Sequence, residues 1–371
     1  MFTQLKVRKA VLGLGLGLGL SVAGAASAQN VSPNISPNVT LYGIIDQSLH
    51  YTNHRSDNGG SHIQLENGAI TNSRFGFRGE ENLGNDLSAV FRLENGFDPH
   101  TGTANQNGRL FGRYAYVGLA HKEWGTLMAG LNGAESFNLF GEFDPLTVGN
   151  TSANSWPFFM TVGRLDNTLS YAGKFDGLSL GLTYGFNSNF NNNAYAYRGI
   201  RASYDTGALN VGATFQEMRG ATGEISRMWG AAASYALTDA KVFLGYLGGR
   251  DHDGWIDNNA LIHPTRTPPP GGNFALNPRK DMTLFTGVVY TGMAPWSITG
   301  ALYYSDADNI HGVRDNKGKR YTAVAVAEYS LSKRTQVYGT VDFNKVTGGA
   351  QTQLPGKRNQ TGLAVGMRHV F

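Results

Sequence analysis

Residues 73–94 read SRFGFRGEENLGNDLSAVFRLE. In the first part Phe75 and Phe77 fall on one parity, and Arg74, Arg78 and Glu80 on the other. Glu81-Asn82-Leu83-Gly84-Asn85-Asp86 then has the composition of a short turn. Beyond it Leu87, Ala89, Phe91 and Leu93 alternate with Ser88, Val90, Arg92 and Glu94. Successive side chains of a strand point to opposite faces, so each half of this hairpin has an apolar face and a charged one. In a closed wall of such strands the apolar face is the outer one and the charged face the inner.

The rhythm extends in both directions. Val39 to Thr52 places Val39, Leu41, Ile45 and Leu49 opposite Asp46 and Ser48, and a polar loop from Asn53 to Ala69 follows. Further strands are expected near 109–119, 125–131, 166–173, 178–186, 196–204, 209–218, 227–236, 241–249, 281–290, 297–306, 319–329, 335–345 and 359–371, sixteen in all. Tight turns such as Lys174–Gly177, Asp205–Gly207 and Thr238–Ala240 take turns with longer polar connections such as Asn95–Gly108, Arg250–Lys280 and Val346–Arg358. Long connections at one end and short turns at the other are the habit of a transmembrane barrel. A soluble sandwich has no reason to sort its connections by parity.

Composition agrees. The 371 residues include 50 glycines, 11% aromatic and only 16% charged residues, and no cysteine. Such a chain is poor in helix formers, rich in strand and turn formers, and free of disulfide or thiol chemistry. At the N-terminus Lys6, Arg8 and Lys9 precede an apolar run from Val11 to Val22 and then Ala26-Ser27-Ala28. A charged region, a short apolar region and a small-residue cleavage site make a secretory signal peptide, and the run is shorter than the roughly 20 residues that span a bilayer. Residues 1–28 are therefore expected to be removed between Ala28 and Gln29, leaving 29–371 as one domain. Loss of the three cations takes the formal net charge from +4 to about +1, so the basic character implies no nucleic-acid partner.

One stretch breaks the alternation. Leu131 to Arg164 reads LNGAESFNLFGEFDPLTVGNTSANSWPFFMTVGR and carries Phe137, Leu139, Phe140, Phe143, Trp156, Phe158 and Phe159 between two strand-like flanks. Ordering so many large apolar groups needs somewhere to bury them, and long insertions in compact folds are usually functional or disordered. The stretch is expected to fold inward and pack inside the wall of strands, presenting Glu142 and Asp144 to the interior.

The sequence resembles the general trimeric porins of Gram-negative outer membranes, in the branch found in β-proteobacteria. The resemblance rests on Val39-Thr-Leu-Tyr-Gly43, Ser73-Arg-Phe-Gly-Phe-Arg-Gly-Glu80, Glu94-Asn-Gly-Phe97, Tyr116-Val-Gly-Leu119, Arg164-Leu-Asp-Asn-Thr168 and the closing Gly366-Met-Arg-His-Val-Phe371. It implies an all-β fold, a sixteen-stranded antiparallel transmembrane β-barrel with an inward-folded constriction loop. It also implies a homotrimer set in outer-membrane lipid, with Phe371 as the terminal aromatic read by the barrel-assembly machinery. Val370 departs from the basic residue that relatives commonly carry there.

Arg74, Arg92, Arg113 and Arg164 fall on four expected strands, on inward parity, at similar distances from the short-turn end. In that reading Tyr114 and Tyr116 face outward, Ala115 inward, and Tyr42 inward. The resemblance implies that this basic cluster lines one side of the pore constriction, with Glu142 and Asp144 opposite. Arginine keeps its charge at every relevant pH, and opposed charges across a narrow aqueous path orient solutes and set ion preference. The expected function is a passive channel for small hydrophilic solutes and ions, weakly anion-preferring. The competing readings are an adhesin or structural barrel, or a barrel enzyme. Nothing marks a nucleophile elbow, and the nine histidines lack metal-ligand spacing, so no enzyme, cofactor or metal is expected.

Overall fold

The computed structural model describes residues 38–371, apart from 57, 149–155, 187–195, 221–222, 261–269 and 355–356. The expected export signal and its cleavage between Ala28 and Gln29 lie outside the described residues. The described strands are β1 (Asn38–Thr52), β2 (His62–Asn67), β3 (Arg74–Gly84), β4 (Leu87–Gly96), β5 (Tyr114–His121), β6 (Gly125–Gly133), β7 (Arg164–Phe175), β8 (Leu178–Gly185) and β9 (Tyr197–Asp205). They continue with β10 (Leu209–Arg219), β11 (Ile225–Ala236), β12 (Ala240–Asp251), β13 (Arg279–Met293), β14 (Trp296–Asp308), β15 (Gly318–Ser330), β16 (Thr335–Gly348) and β17 (Asn359–Val370).

From β3 to β17 every strand pairs antiparallel with the next, and β17 pairs back onto β1 from Ile44↔Val370 to Thr52↔Gly362. The other edge of β1 is shared. Asn38–Ile44 pairs with β3, whereas Gln47–Thr52 pairs with β2. β2 and β3 thus occupy one place in the ring, so the wall has sixteen positions although seventeen strands are described. β2 lies inside the segment expected as a polar loop. Its alternation, with Ile63 and Leu65 exposed on the outer face, lasts only six residues. The link from β2 to β3 is fixed by Asp46, whose Oδ2 accepts the Thr71 amide (3.0 Å) while Tyr338 Oη donates to its Oδ1 (2.5 Å).

Tight hairpins follow from turn chemistry. Asn85 (φ 51°) with Asp86 (φ 60°), and Asp176 (φ 47°) with Gly177 (φ 88°), hold the paired positive φ values that match strand twist. Exposed apolar side chains on the outer face include Val39, Leu41, Leu127, Leu182, Leu244, Leu302 and Val365. Toward the short-turn end they are bounded by Phe175, Tyr204, Tyr235, Tyr290 and Trp296, and toward the other end by Tyr184, Phe186, Phe215, Tyr321 and Phe343. On β15, Tyr321 and Tyr329 stand eight residues apart, about 27 Å along the strand and about 21 Å along the axis at a tilt of about 40°. That matches the apolar band of an outer-membrane barrel.

The inner faces carry the polar residues, among them Ser48, Thr168, Ser170, Thr214, Gln216, Asn344 and Gln360, all buried. Between β6 and β7 the chain forms helix α1 (Glu135–Phe143) and a 3₁₀ turn over Trp156–Thr161. These pack on the inner faces of β9–β15. At the long-connection end a second short helix, α2 (Trp255–Ala260), is tied down by fully buried Arg279, which bonds Asp257 of the helix and Asp281 of its own strand (Nη2–Oδ1 2.8 Å). Breaking such a buried pair by removing one partner is strongly destabilising.

Candidate functional site: an arginine-lined cavity facing the inward loop

Wall residues of β1, β3, β4, β5, β7 and β17 and the loop meet around an open cavity of about 810 Å³, lined by Arg74, Arg92, Arg113, Arg164, Arg368, Glu94, Tyr42 and Tyr114 on the wall side. Register explains the wall. Glu94 stands opposite Gly76 on one side and Tyr114 on the other, and Arg92 stands between Arg78 and Tyr116. Residues directly opposite in antiparallel strands share a face. Tyr114 and Tyr116 therefore point into the barrel, and Val117 and Leu119 point outward, with 61% and 50% of their surfaces exposed. This corrects the expectation that both tyrosines face outward. The ladder of β5 starts only at Tyr114, so counting parity from Arg113 is off by one. Arg113 joins through its amide to the Glu94 carbonyl (3.1 Å) and turns its side chain inward as well.

Glu94 is the one side-chain carboxylate among the described residues that line the cavity, and it is fully buried. It accepts from Arg92 Nη2 (2.5 Å), Arg113 Nε (2.6 Å) and Tyr42 Oη (2.8 Å). Arg92 Nε also donates to Tyr42 Oη (2.8 Å). Arg74 and Arg164 have no ion-pair partner among the described residues, and Arg164 Nε is buried without a hydrogen-bond acceptor. Arg368 lines the cavity as well but is paired with Glu328 (Nη2–Oε2 3.1 Å), so the other four guanidiniums against Glu94 leave this side of the cavity with a net charge of +3.

Aromatic faces keep these like charges apart. The Arg78 and Arg92 guanidiniums lie 5.5 and 5.6 Å from the Tyr42 ring. Arg92 also lies 4.0 Å from the Tyr114 ring, and Arg164 lies 5.4 Å from Tyr114 and 4.9 Å from Phe137. A cation over an aromatic face is attracted by the ring quadrupole. Each ring between two guanidiniums thus attracts both and spaces them.

The loop reaches this cavity because its apolar side has a built seat. Leu139, Phe140 and Phe143 are fully buried and form one cluster with Phe158, Met160, Met228, Leu247, Phe285 and Tyr303. Phe140, Phe158 and Phe285 meet at centroid distances of 5.9–6.1 Å. The wall opens for the loop at glycines, since a Cβ on Gly230 would stand 2.5 Å from Phe140 Cζ, and one on Gly287 2.6 Å from Pro145 Cγ. The N-terminal end of α1 is held by polar contacts, Glu135 to Arg201 Nε (2.8 Å) and Thr183 Oγ1 (2.7 Å), and Ser136 to Gln216 (2.5 Å). Burial pushes the Glu135 carboxyl above the usual range. The side chains of Trp156 and Phe159 lie outside those described.

Neither loop acid is among the described residues that line the arginine cavity. Asp144 is buried, with Oδ1 accepting from Tyr303 Oη (2.5 Å) and Oδ2 from the Val148 amide (2.7 Å). Asp144 ends α1 and closes the turn that follows, and an Asx side chain in that place bonds the backbone just ahead. Glu142 is exposed and accepts from Asn210 Nδ2 (2.6 Å) at the foot of β10. The loop instead turns Phe137, Gly141, Thr147 and Val148 toward the arginines. At the barrel seam Phe371 exchanges both backbone hydrogen bonds with Gly43 (3.0 Å each), and its ring covers that outward-facing glycine.

A closed antiparallel ring with an apolar, aromatic-bounded exterior and a polar interior is a transmembrane β-barrel of the outer-membrane type. A family model described as Gram-negative porin matches residues 15–349, and the chain belongs to that family. An outer membrane porin protein of Bordetella pertussis is 30% identical over 375 residues, covering 90% of this chain and 94% of that protein. An anion-selective porin from Comamonas acidovorans superposes with a TM-score of 0.72 at 23% identity, over 90% of this chain and 100% of that one. The trimer form of OmpT, an outer membrane protein of Vibrio cholerae, gives a TM-score of 0.63 at 13% identity over 90% of this chain and 99% of that one. The protein is thus an outer-membrane porin whose relatives include β-proteobacterial ones.

Proposed function

We propose that the protein is a passive diffusion channel for small hydrophilic solutes and ions with a weak preference for anions, narrowed at the cavity between the arginines and the inward loop. The observation that carries this reading is the +3 balance of Arg74, Arg92, Arg113 and Arg164 against Glu94, with Arg368 paired to Glu328 and the loop carboxylates engaged elsewhere. Fixed charge at a narrow aqueous passage sets ion preference, and the Debye length of about 10 Å at 0.1 M salt makes that preference local. The anion-selective porin from Comamonas acidovorans agrees with the same sign. Glu142 and Asp144 act in this reading by seating the loop rather than by facing the arginines. The channel works as a homotrimer, as the trimer form of OmpT does. Residues 1–28 serve as the export signal, and Phe371 at the seam serves as the assembly signal. Reversal potentials in planar bilayers under a salt gradient test the reading. A potential of anionic sign is expected, and a cation-selective channel would overturn it.

A further inference from the structure

We propose that the inner wall at the barrel seam holds a divalent transition ion such as zinc between His50 and Asp342. β1 and β17 close the ring there, and the inner face of β17 carries small residues. Gly362 lies between Thr52 and Asp342, Ala364 between His50 and Thr340, and Gly366 between Ser48 and Tyr338. The larger side chains of β1 and β16 thus stand on either side of a trough floored by β17. A Cβ on Gly362 would stand 2.3 Å from Asp342 Oδ1 and 3.1 Å from His50 Nε2, so both tips hang over that one residue.

His50 is oriented as a ligand. Its Nδ1 lies 2.9 Å from Glu66 Oε2 of β2. An ionised carboxylate only accepts, so Nδ1 carries the proton and Nε2 the lone pair. Nε2 is buried and has no hydrogen-bond partner. A carboxylate behind the imidazole is the usual outer support of a metal-bound histidine, fixing both ring and tautomer. Glu66 keeps 31% of its side chain exposed, which gives solvent a way in beside the ring.

Asp342 is the matching acid, buried and without an ion pair among the described residues. Its Oδ2 accepts from Asn344 Nδ2 (3.0 Å), and Asn344 Oδ1 accepts from Arg320 Nη2 (2.8 Å). Its Oδ1 is the atom turned toward His50. Buried charges are paired or coordinate metals. Thr340 Oγ1, across Ala364 from His50, is a further buried oxygen without a hydrogen-bond partner. No three His, Asp or Glu side chains form a metal-holding group among the described residues. The centre is therefore open, with one imidazole, one carboxylate, the Thr340 hydroxyl and water. Imidazole suits zinc, copper or nickel, whereas magnesium and calcium take oxygen ligands. Zinc binds imidazole and carboxylate at about 2.0–2.2 Å, so loading draws the two tips together and ties β1 to β16 across the seam. Water alone in the trough would satisfy the same atoms, and it predicts no response to metal.

Titration of the full-length mature protein in mild detergent with Co²⁺, read by its visible absorption and by displacement with Zn²⁺, tests the proposal. Wild type should bind one ion per protomer, and Zn²⁺ but not Mg²⁺ should raise its unfolding temperature. His50→Gln and Asp342→Asn should each lose that ion. Glu66→Gln, which leaves both ligands in place, should bind it about 10–100-fold more weakly. His121→Gln, at the short-turn end, should match wild type. Binding in His50→Gln equal to that of wild type would overturn the proposal and leave water in the trough. So would a wild-type unfolding temperature that Zn²⁺ and Mg²⁺ leave alike, a comparison that stands even if the variants fail to fold.

Discussion

Replacing Arg74 and Arg164 together by serine should cut the anion preference several-fold without unfolding the barrel. These two are chosen because neither is ion-paired among the described residues. Removing Arg92 or Arg113 would instead leave buried Glu94 short of a partner, which is costly in itself. An ion passing about 7 Å from one unit charge in ~0.1 M salt gains or loses about 0.3 kcal/mol. With +3 on the wall, anion and cation then differ by about 1.8 kcal/mol, about 20-fold at the narrowest point. The double variant leaves +1 and a difference of about 0.6 kcal/mol, about threefold. Single-channel recording with a tenfold salt gradient reads the change as a fall in reversal potential, with a larger conductance because two long side chains are gone. Repeating the wild-type measurement at about 1 M salt, where the Debye length is about 3 Å, should collapse the preference too. An unchanged reversal potential in the double variant would refute the assignment of the arginine cavity as the narrow point.

Tyr114→Leu removes the ring between Arg92 and Arg164 and should increase open-channel noise and shift the reversal potential, whereas Tyr114→Phe, which keeps the ring face, should behave as wild type. Phe140→Ala should loosen the loop by about 3–5 kcal/mol, the usual cost of truncating a buried phenylalanine, and appear as flickering and higher conductance with the barrel intact. Asp144→Asn with Glu142→Ser should change loop stability more than selectivity, so a reversal-potential shift as large as that of the arginine double variant would contradict the positions of the acids. Phe371→Ala uncovers Gly43 at the seam and should lower the amount of folded protein in outer membranes while leaving the conductance of whatever assembles unchanged.

The wall was legible in the linear order of residues, because strand parity is a property of the backbone alone. Phe75 and Phe77 opposite Arg74 and Arg78, and Leu363, Val365 and Met367 opposite Ala364 and Arg368, mark the two faces with no knowledge of what the strands pair with. Sixteen of the seventeen described strands were foreseen in that way, and β2 escaped because six residues carry too few alternations to stand out. The loop's burial was also legible, since Leu139, Phe140 and Phe143 have to leave water somewhere. The partners were not. Whether Asp144 faces an arginine or Tyr303 depends on where α1 lands, and that is set by notches at Gly230 and Gly287, far along the chain. Tyr114 was misplaced because Arg113 precedes the ladder, and only the pairing of Glu94 with Tyr114 sets the count. The meeting of His50 and Asp342 over Gly362 likewise arises from register across the closing seam, which no periodicity within one strand and no spacing of histidines along the chain encodes.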